Sequence, residues 1–221
     1  MNLAKQELLK GEKGKKALEY LTQKRKISKS ILDKFNIGYC PEDVNHQVRG
    51  RIITPIYDAY NHLVALSTRH LDENFKPRFW HESFDKGSYL YGLNHAKHTI
   101  QNVQKVIIVE GEIDVLSLFS YGFTMSVGMS CSSLTLFQIS LIARYCHEFY
   151  LLFDGDNPGK TAIDRMMRFY SKENLKSFGL NFYPVYLPEG HDPDDFLNKY
   201  GAKELKLKLK ESRDNLIGRK K

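Results

Sequence analysis

The sequence predicts an α/β protein: a parallel sheet flanked by helices, preceded by a smaller N-terminal mixed αβ lobe. Three observations predict it. After Gln104, short apolar strands alternate with amphipathic helices, the pattern of a parallel sheet covered on both faces. Between Arg49 and Thr68, "RGRIITPIYDAYNHLVALST" alternates β-branched and polar residues around a turn near Ala59 to His62, the pattern of a β-hairpin. The 221 residues, 42% hydrophobic and 27% charged, suffice to bury one good core or two small ones.

Residues 17–35 read as two short helices, the second opened by Ser28 as an N-cap before "KSILDKF". "NIGYCPE" then breaks the pattern at Gly38 and Pro41, and the hairpin follows; the expected lobe spans residues 1–103. In residues 104–201 the strands are "KVIIVE", "FTMSVG", "EFYLLFD" and "LNFYPVYLP". The helices that follow them are "IDVLSLFSYG", "SLTLFQISLIARYC", "GKTAIDRMMRFY" and "DPDDFLNKYG". Residues 202–221 form a basic tail, a lysine-rich polar helix or frayed end with a solvated charged face.

Composition narrows the function classes. The longest apolar runs fall far short of the roughly 20 residues that span a bilayer, and "MNLAKQELLKGEKGKK" has no apolar signal core. A cytoplasmic protein with no membrane partner is expected. Cys40, Cys131 and Cys146 lie far apart, which predicts buried thiols rather than disulfides or a zinc site. The net charge of +7 favours a polyanionic partner.

"LLFDGDNPGKTAID" carries the chemistry. As a phosphate loop it is one residue short, with three residues between Gly155 and Gly159, and Asp154 and Asp156 would repel a phosphate. As a calcium loop it has Pro158 and Arg165 where ligands belong. What remains is a strand ending in two carboxylates. Glu110 likewise ends "VIIV", where Gly111 is expected to let the chain turn into a helix bearing Asp114 in its first turn. If the two strands are neighbours, Glu110, Asp154 and Asp156 share one crevice, and a cation is what stabilises such crowding. Oxygen ligands suit Mg²⁺ or Mn²⁺ rather than zinc. Asp192, Asp194 and Asp195 form a third cluster around Pro193 that opens a helix, and Asp192 and Asp194 also read as an ordinary helix start.

"VEGEID" followed by "FDGDNPG" resembles the TOPRIM signature of primases, topoisomerases and some nucleases. "YLTQKRKISKSILDKFNIGYCPE", "VRGRIITPIYD", "KGSYLYGLNHA" and "EGHDPDDFL" resemble, in the same order, segments of the bacterial DnaG-type DNA primase catalytic core. The resemblance runs from about Ala17 to Gly201. It implies a TOPRIM domain with a smaller N-terminal lobe and a basic cleft between them. It also implies a DNA-directed RNA polymerase that makes short RNA primers from NTPs on single-stranded DNA, by nucleotidyl transfer at Mg²⁺ or Mn²⁺. By position, Glu110, Asp114, Asp154, Asp156, Asp192 and Asp194 match the family's metal-binding acids, with Glu110, Asp154 and Asp156 catalytic. Arg49, Arg51, Arg78 and Lys86 match residues that contact DNA or nucleotide, and Trp80, Phe79 or Tyr89 could stack bases. Whether a second ion near Asp192 and Asp194 or Glu110 as a base activates the attacking hydroxyl stays open.

Arg78 stands where a lysine is usual, and "SVGMSCSS" differs from the Gly-Thr-rich segment of the family. The family's zinc-binding and helicase-binding domains have no counterpart in the resemblance, which fits a fragment of a longer protein, a phage or plasmid primase, or a split system with a separate zinc-binding partner protein; a helicase contact through this chain is not expected. The competing readings are a TOPRIM nuclease, which would use the same acids to hydrolyse a phosphodiester, and a non-catalytic single-stranded nucleic-acid-binding subunit.

Overall fold

The computed structural model describes residues 1–44, 46–72 and 74–218, in two compact units, Met1–Asp85 and Lys86–Lys221. The first unit begins with α1 (Asn2–Lys10) and α2 (Lys15–Glu19), which runs into a π-helical turn over Tyr20–Lys24, and then α3 (Lys29–Lys34). As expected, Ser28 caps α3, its side chain accepting from the Ile31 N–H. An antiparallel sheet follows in the order β1 (Gly38–Cys40), β2 (Arg51–Tyr57), β3 (Leu63–His70), β4 (Phe79–His81). β2 and β3 are the predicted hairpin, and Asp58 Oδ1 closes its turn by accepting from the Tyr60 and His62 N–H groups at 2.8 and 2.9 Å.

The sequence reading gave no element to α1, β1 or β4. In α1 only Leu8 is buried while Leu3 is 83% exposed, so its apolar period is blunt. β1 lies in the stretch read as a break. It has three residues, too few to show alternation, and a Cβ on Gly38 would sit 2.8 Å from Ala4 Cβ.

The second unit contains α4 (Leu93–Val103), β5 (Lys105–Val109), α5 (Glu112–Ser120), β6 (Ser126–Gly128) and α6 (Leu136–Ala143). It continues with β7 (Glu148–Leu152), α7 (Asn157–Lys172), β8 (Asn181–Val185) and α8 (Pro193–Gly218). The four strands are parallel in the order β6-β5-β7-β8, with Ile107 beside Tyr150 and Ile108 beside Leu151. Val106 to Val109 and Phe149 to Phe153 are buried throughout, as strands covered on both faces require. α4, counted with the N-terminal lobe from sequence, packs on β5 and β6 within this unit. Among the described residues no helix is long and apolar enough to cross a membrane.

The basic segment after Ala202 is neither frayed nor simply solvated. α8 continues through a kink at Gly201, where φ is +79°, packs on α5 and β8, and buries Leu205 to 1% exposure. Ser212 Oγ donates to the Pro184 carbonyl at 2.6 Å. "ELKLKLKE" hides this because its leucines and lysines alternate with period two, which shows no helical face. Residues 219–221 of the predicted tail lie outside the described residues. If the docking holds, Leu205→Ala lowers stability by about 2–5 kcal/mol in urea unfolding, whereas Leu207→Ala, at a site 46% exposed, shifts the midpoint little.

Candidate metal centre

The strand order fixes where a ligand can sit. From β5 the chain crosses to β6 on one side and then returns to β7 on the other, so the crossovers diverge between β5 and β7 and leave a crevice beyond their carboxyl ends. Glu110 directly follows β5, and Asp154 lies just past the end of β7. The adjacency on which the sequence reading depended is present, and one pocket of about 560 Å³ is lined by Glu110, Asp154 and Asp156 together with Ser132, Thr161 and Arg165.

Local hydrogen bonds hold Glu110 and Asp156. Glu110 accepts a hydrogen bond from the Asp154 backbone. Asp156 is the N-cap of α7, its Oδ1 accepting the Gly159 N–H at 2.8 Å. The glycines that suggested a phosphate loop serve close backbone approach: a Cβ on Gly155 would sit 2.1 Å from the Pro188 carbonyl oxygen, and one on Gly159 2.2 Å from that of Asp154. Gly111 needs correction. Its φ of −112° and ψ of 164° are extended, so the turn into α5 does not require glycine's freedom; Asp114 Oδ2 accepts its N–H at 3.3 Å. Arg165, which the sequence reading treated only as a non-ligand, reaches this rim and donates to the Ser132 carbonyl at 2.8 Å.

A second acidic group adjoins the first. Asp192, Asp194 and Asp195 can each bring one oxygen within 4.8 Å of the others. Asp192 is a helix cap, as its alternative reading held, with Oδ1 accepting the Asp195 N–H at 2.6 Å. Asp194 is fully buried, and its Oδ1 accepts from Asn198 Nδ2 at 3.1 Å, while Asn198 Oδ1 accepts from the Tyr121 hydroxyl at 3.1 Å. Asp195 was read as part of this cluster but not among the candidate ligands. The signal for it was its place three residues after Asp192, one turn along the same helix start.

Burial, then the charges of Glu110, Asp192, Asp156 and Asp195, push the Asp154 carboxyl up to about 7. Burial, then Asp192, Asp154 and Asp194, push Asp114 well above its ordinary range. Burial chiefly raises Glu110. The charges that chiefly act on these three are those of other carboxylates. An all-oxygen donor set with too much negative charge for its burial fits a hard divalent cation.

The four basic residues are placed differently. Arg49 is exposed in the turn before β2. Arg51 is only 3% exposed: Nη1 donates to the Arg78 carbonyl at 3.0 Å and Nη2 to that of Pro77 at 2.6 Å, bracing residues 77–78 against β2, a role not foreseen. The Arg78 guanidinium lies 5.7 Å from the ring of Phe79, itself 53% exposed. Trp80 packs on Cys40, Val48 and Ile53, and Tyr89 is half-buried. Lys86, in the second unit, opens a 3₁₀ turn, and its carbonyl accepts from Gln138 Nε2 at 3.0 Å.

Residues 107–197 match the Toprim-like family model, which covers the whole acidic constellation. A DNA primase of Aquifex aeolicus is 30% identical over 233 residues, covering 90% of this chain and 46% of the relative. This chain is a relative of the bacterial DnaG-type primases through their catalytic core. A solved DnaG catalytic core superposes with a TM-score of 0.83 at 25% identity, covering 95% of this chain and 76% of that one. The crystal structure of the zinc-binding and RNA polymerase domains of Aquifex aeolicus primase does so with a TM-score of 0.77 at 28% identity, covering 92% and 57%. The chain thus spans about half the length of the curated DNA primase it matches, and the TOPRIM family implies use of divalent metal.

The raised Asp154 carboxyl makes a testable statement about the metal-free protein. Its folded value of about 7 exceeds the ordinary 3.8, so its contribution to stability is fully present below pH 3.8 and is lost as pH rises through 7. Asp154→Asn removes that loss. In EDTA at pH 8 it should raise stability by on the order of 1–2 kcal/mol once solvent screening is allowed for, and at pH 4 by much less. Thermal melts at both pH values check this; a destabilised variant at pH 8 refutes the crowding.

Proposed function

We propose that this chain is the catalytic core of a DNA primase, joining NTPs into short RNA primers on a single-stranded DNA template with Mg²⁺ or Mn²⁺. The observation that carries the reading is the convergence of Glu110, Asp154 and Asp156 at the β5–β7 crevice, supported by the primase relatives and by the RNA polymerase domain of the same fold. Glu110, Asp154 and Asp156 would hold the catalytic ion, with Asp114, Asp192 and Asp194 completing the acidic set. When bound, the ion supplies charge neutralisation for the triphosphate and its leaving pyrophosphate. The caps and backbone bonds on Asp156, Asp192 and Glu110 fix these carboxylates before substrate arrives, so little reorganisation accompanies reaction. Arg165 lines the same pocket and is placed to pair with a phosphate oxygen. Arg49, Arg78 and Lys86 would hold template or nucleotide phosphates, while Arg51 acts through the backbone of residues 77–78.

A primer-synthesis assay with labelled NTPs on an oligonucleotide template tests the reading. New RNA is expected with the wild type, reduced at least about 100-fold by Asp154→Asn or Asp156→Asn. Template degradation instead of synthesis would identify the nuclease, and neither activity a binding subunit. Arg49→Ala or Lys86→Ala should each lower the logarithmic salt slope of single-stranded DNA binding by about 0.7. Unchanged slopes for both would remove them from the interface.

A further inference from the structure

The second unit has another pocket, of opposite charge, near the amino ends of the strands. It measures about 330 Å³ and is lined by Lys105, Lys206, Lys210 and Arg213 around a floor that includes Tyr150 and Phe123. Lys105 is the first residue of β5, whose last residue precedes Glu110, so the pocket lies about 15 Å along the strand from the acidic crevice. Lys206, Lys210 and Arg213 stand at i, i+4 and i+7 on α8, which places three like charges on one helix face beside the ridge of Leu205 and Leu209. Like charges at this spacing oppose helix formation, and Lys105 adds a fourth from the sheet. Two acids adjoin them. Glu148 accepts the Tyr150 hydroxyl at 3.1 Å, and Asp214 Oδ1 lies 3.8 Å from Arg213 Nε. Among the described residues that line the pocket, the charged ones are all cations, around a concavity whose floor residues, Tyr150 and Phe123, are 4% and 2% exposed.

We propose that this pocket binds consecutive phosphates, those of a nucleic-acid strand or of a free polyphosphate. The cations form a row instead of a point: Lys206 to Arg213 spans about 10 Å along the helix, more than one phosphate occupies. The site is separate from the carboxylates, and the proposal does not rest on the primase reading.

The test is binding in EDTA, which removes divalent cations from the acidic site. The probes are a labelled oligothymidylate and inorganic tripolyphosphate. Lys206→Ala, Lys210→Ala and Arg213→Ala combined should weaken at least one probe about tenfold, and Lys206→Arg with Lys210→Arg should preserve binding. If a strand is the ligand, the logarithmic salt slope for the oligonucleotide falls by about 2, three contacts at roughly 0.7 each. If a free polyphosphate is the ligand, tripolyphosphate binding is the one that is lost. Should the combined variant melt abnormally, Lys210→Glu alone is read in the same way. Wild-type affinity for both probes, with an unchanged salt slope, would overturn the proposal and leave a solvated helix face.

Discussion

Crowding carboxylates into a partly desolvated crevice is the constraint on which the rest of the second unit depends. Ionised acids that share a site raise one another's free energy, and burial adds to it, as the elevation of Asp154 to about 7 records. A fold tolerates this only where the surrounding structure is stable enough to hold them in place. Here that is a four-stranded parallel sheet with buried central strands, and the acids stand just beyond it, where chain direction switches. The same placement lets Asp156 and Asp192 serve as helix caps, so a destabilising charge also satisfies backbone donors.

The backbone around the site is fitted to the same purpose. Gly155 lies against the carbonyl of Pro188 and donates to that of His191 at 2.8 Å, tying the Asp154–Asp156 loop to the segment that leads into Asp192. Two acidic groups far apart in sequence are thereby held together through the main chain, with no side-chain bond between them needed. Asn198 and Tyr121 do the equivalent work for Asp194.

Much of this was legible in the sequence, for identifiable reasons. Strands such as "VIIV" and "FYLLF" are continuous apolar runs, so the acids after them stood out as strand-end residues. The hairpin at residues 51–70 and the Ser28 cap carry strong local signals. Strand order carries no such signal, because it is decided by which helices cover which face; the proximity of Glu110 and Asp154 could be stated only as a condition. Local composition also misled. Arg51 looked like any cleft arginine until its guanidinium was found on two backbone carbonyls, and Gly111 looked like a turn glycine although its backbone is extended. Arg165 was missed, and Asp195 left out of the ligand set, because helical periodicity brings them to the site from positions where charge is usually solvated.

The basic row on α8 and the acidic crevice suggest a domain with opposite charge at the two ends of its sheet, which sequence-wide net charge conceals. The central claim nevertheless concerns the crevice alone. The most direct test is an anomalous difference map from a crystal of the protein soaked in MnCl₂. A peak within coordination distance of carboxylate oxygens among Glu110, Asp154 and Asp156 is the predicted result. A fully occupied crystal showing manganese elsewhere, with those three carboxylates unliganded, would contradict it.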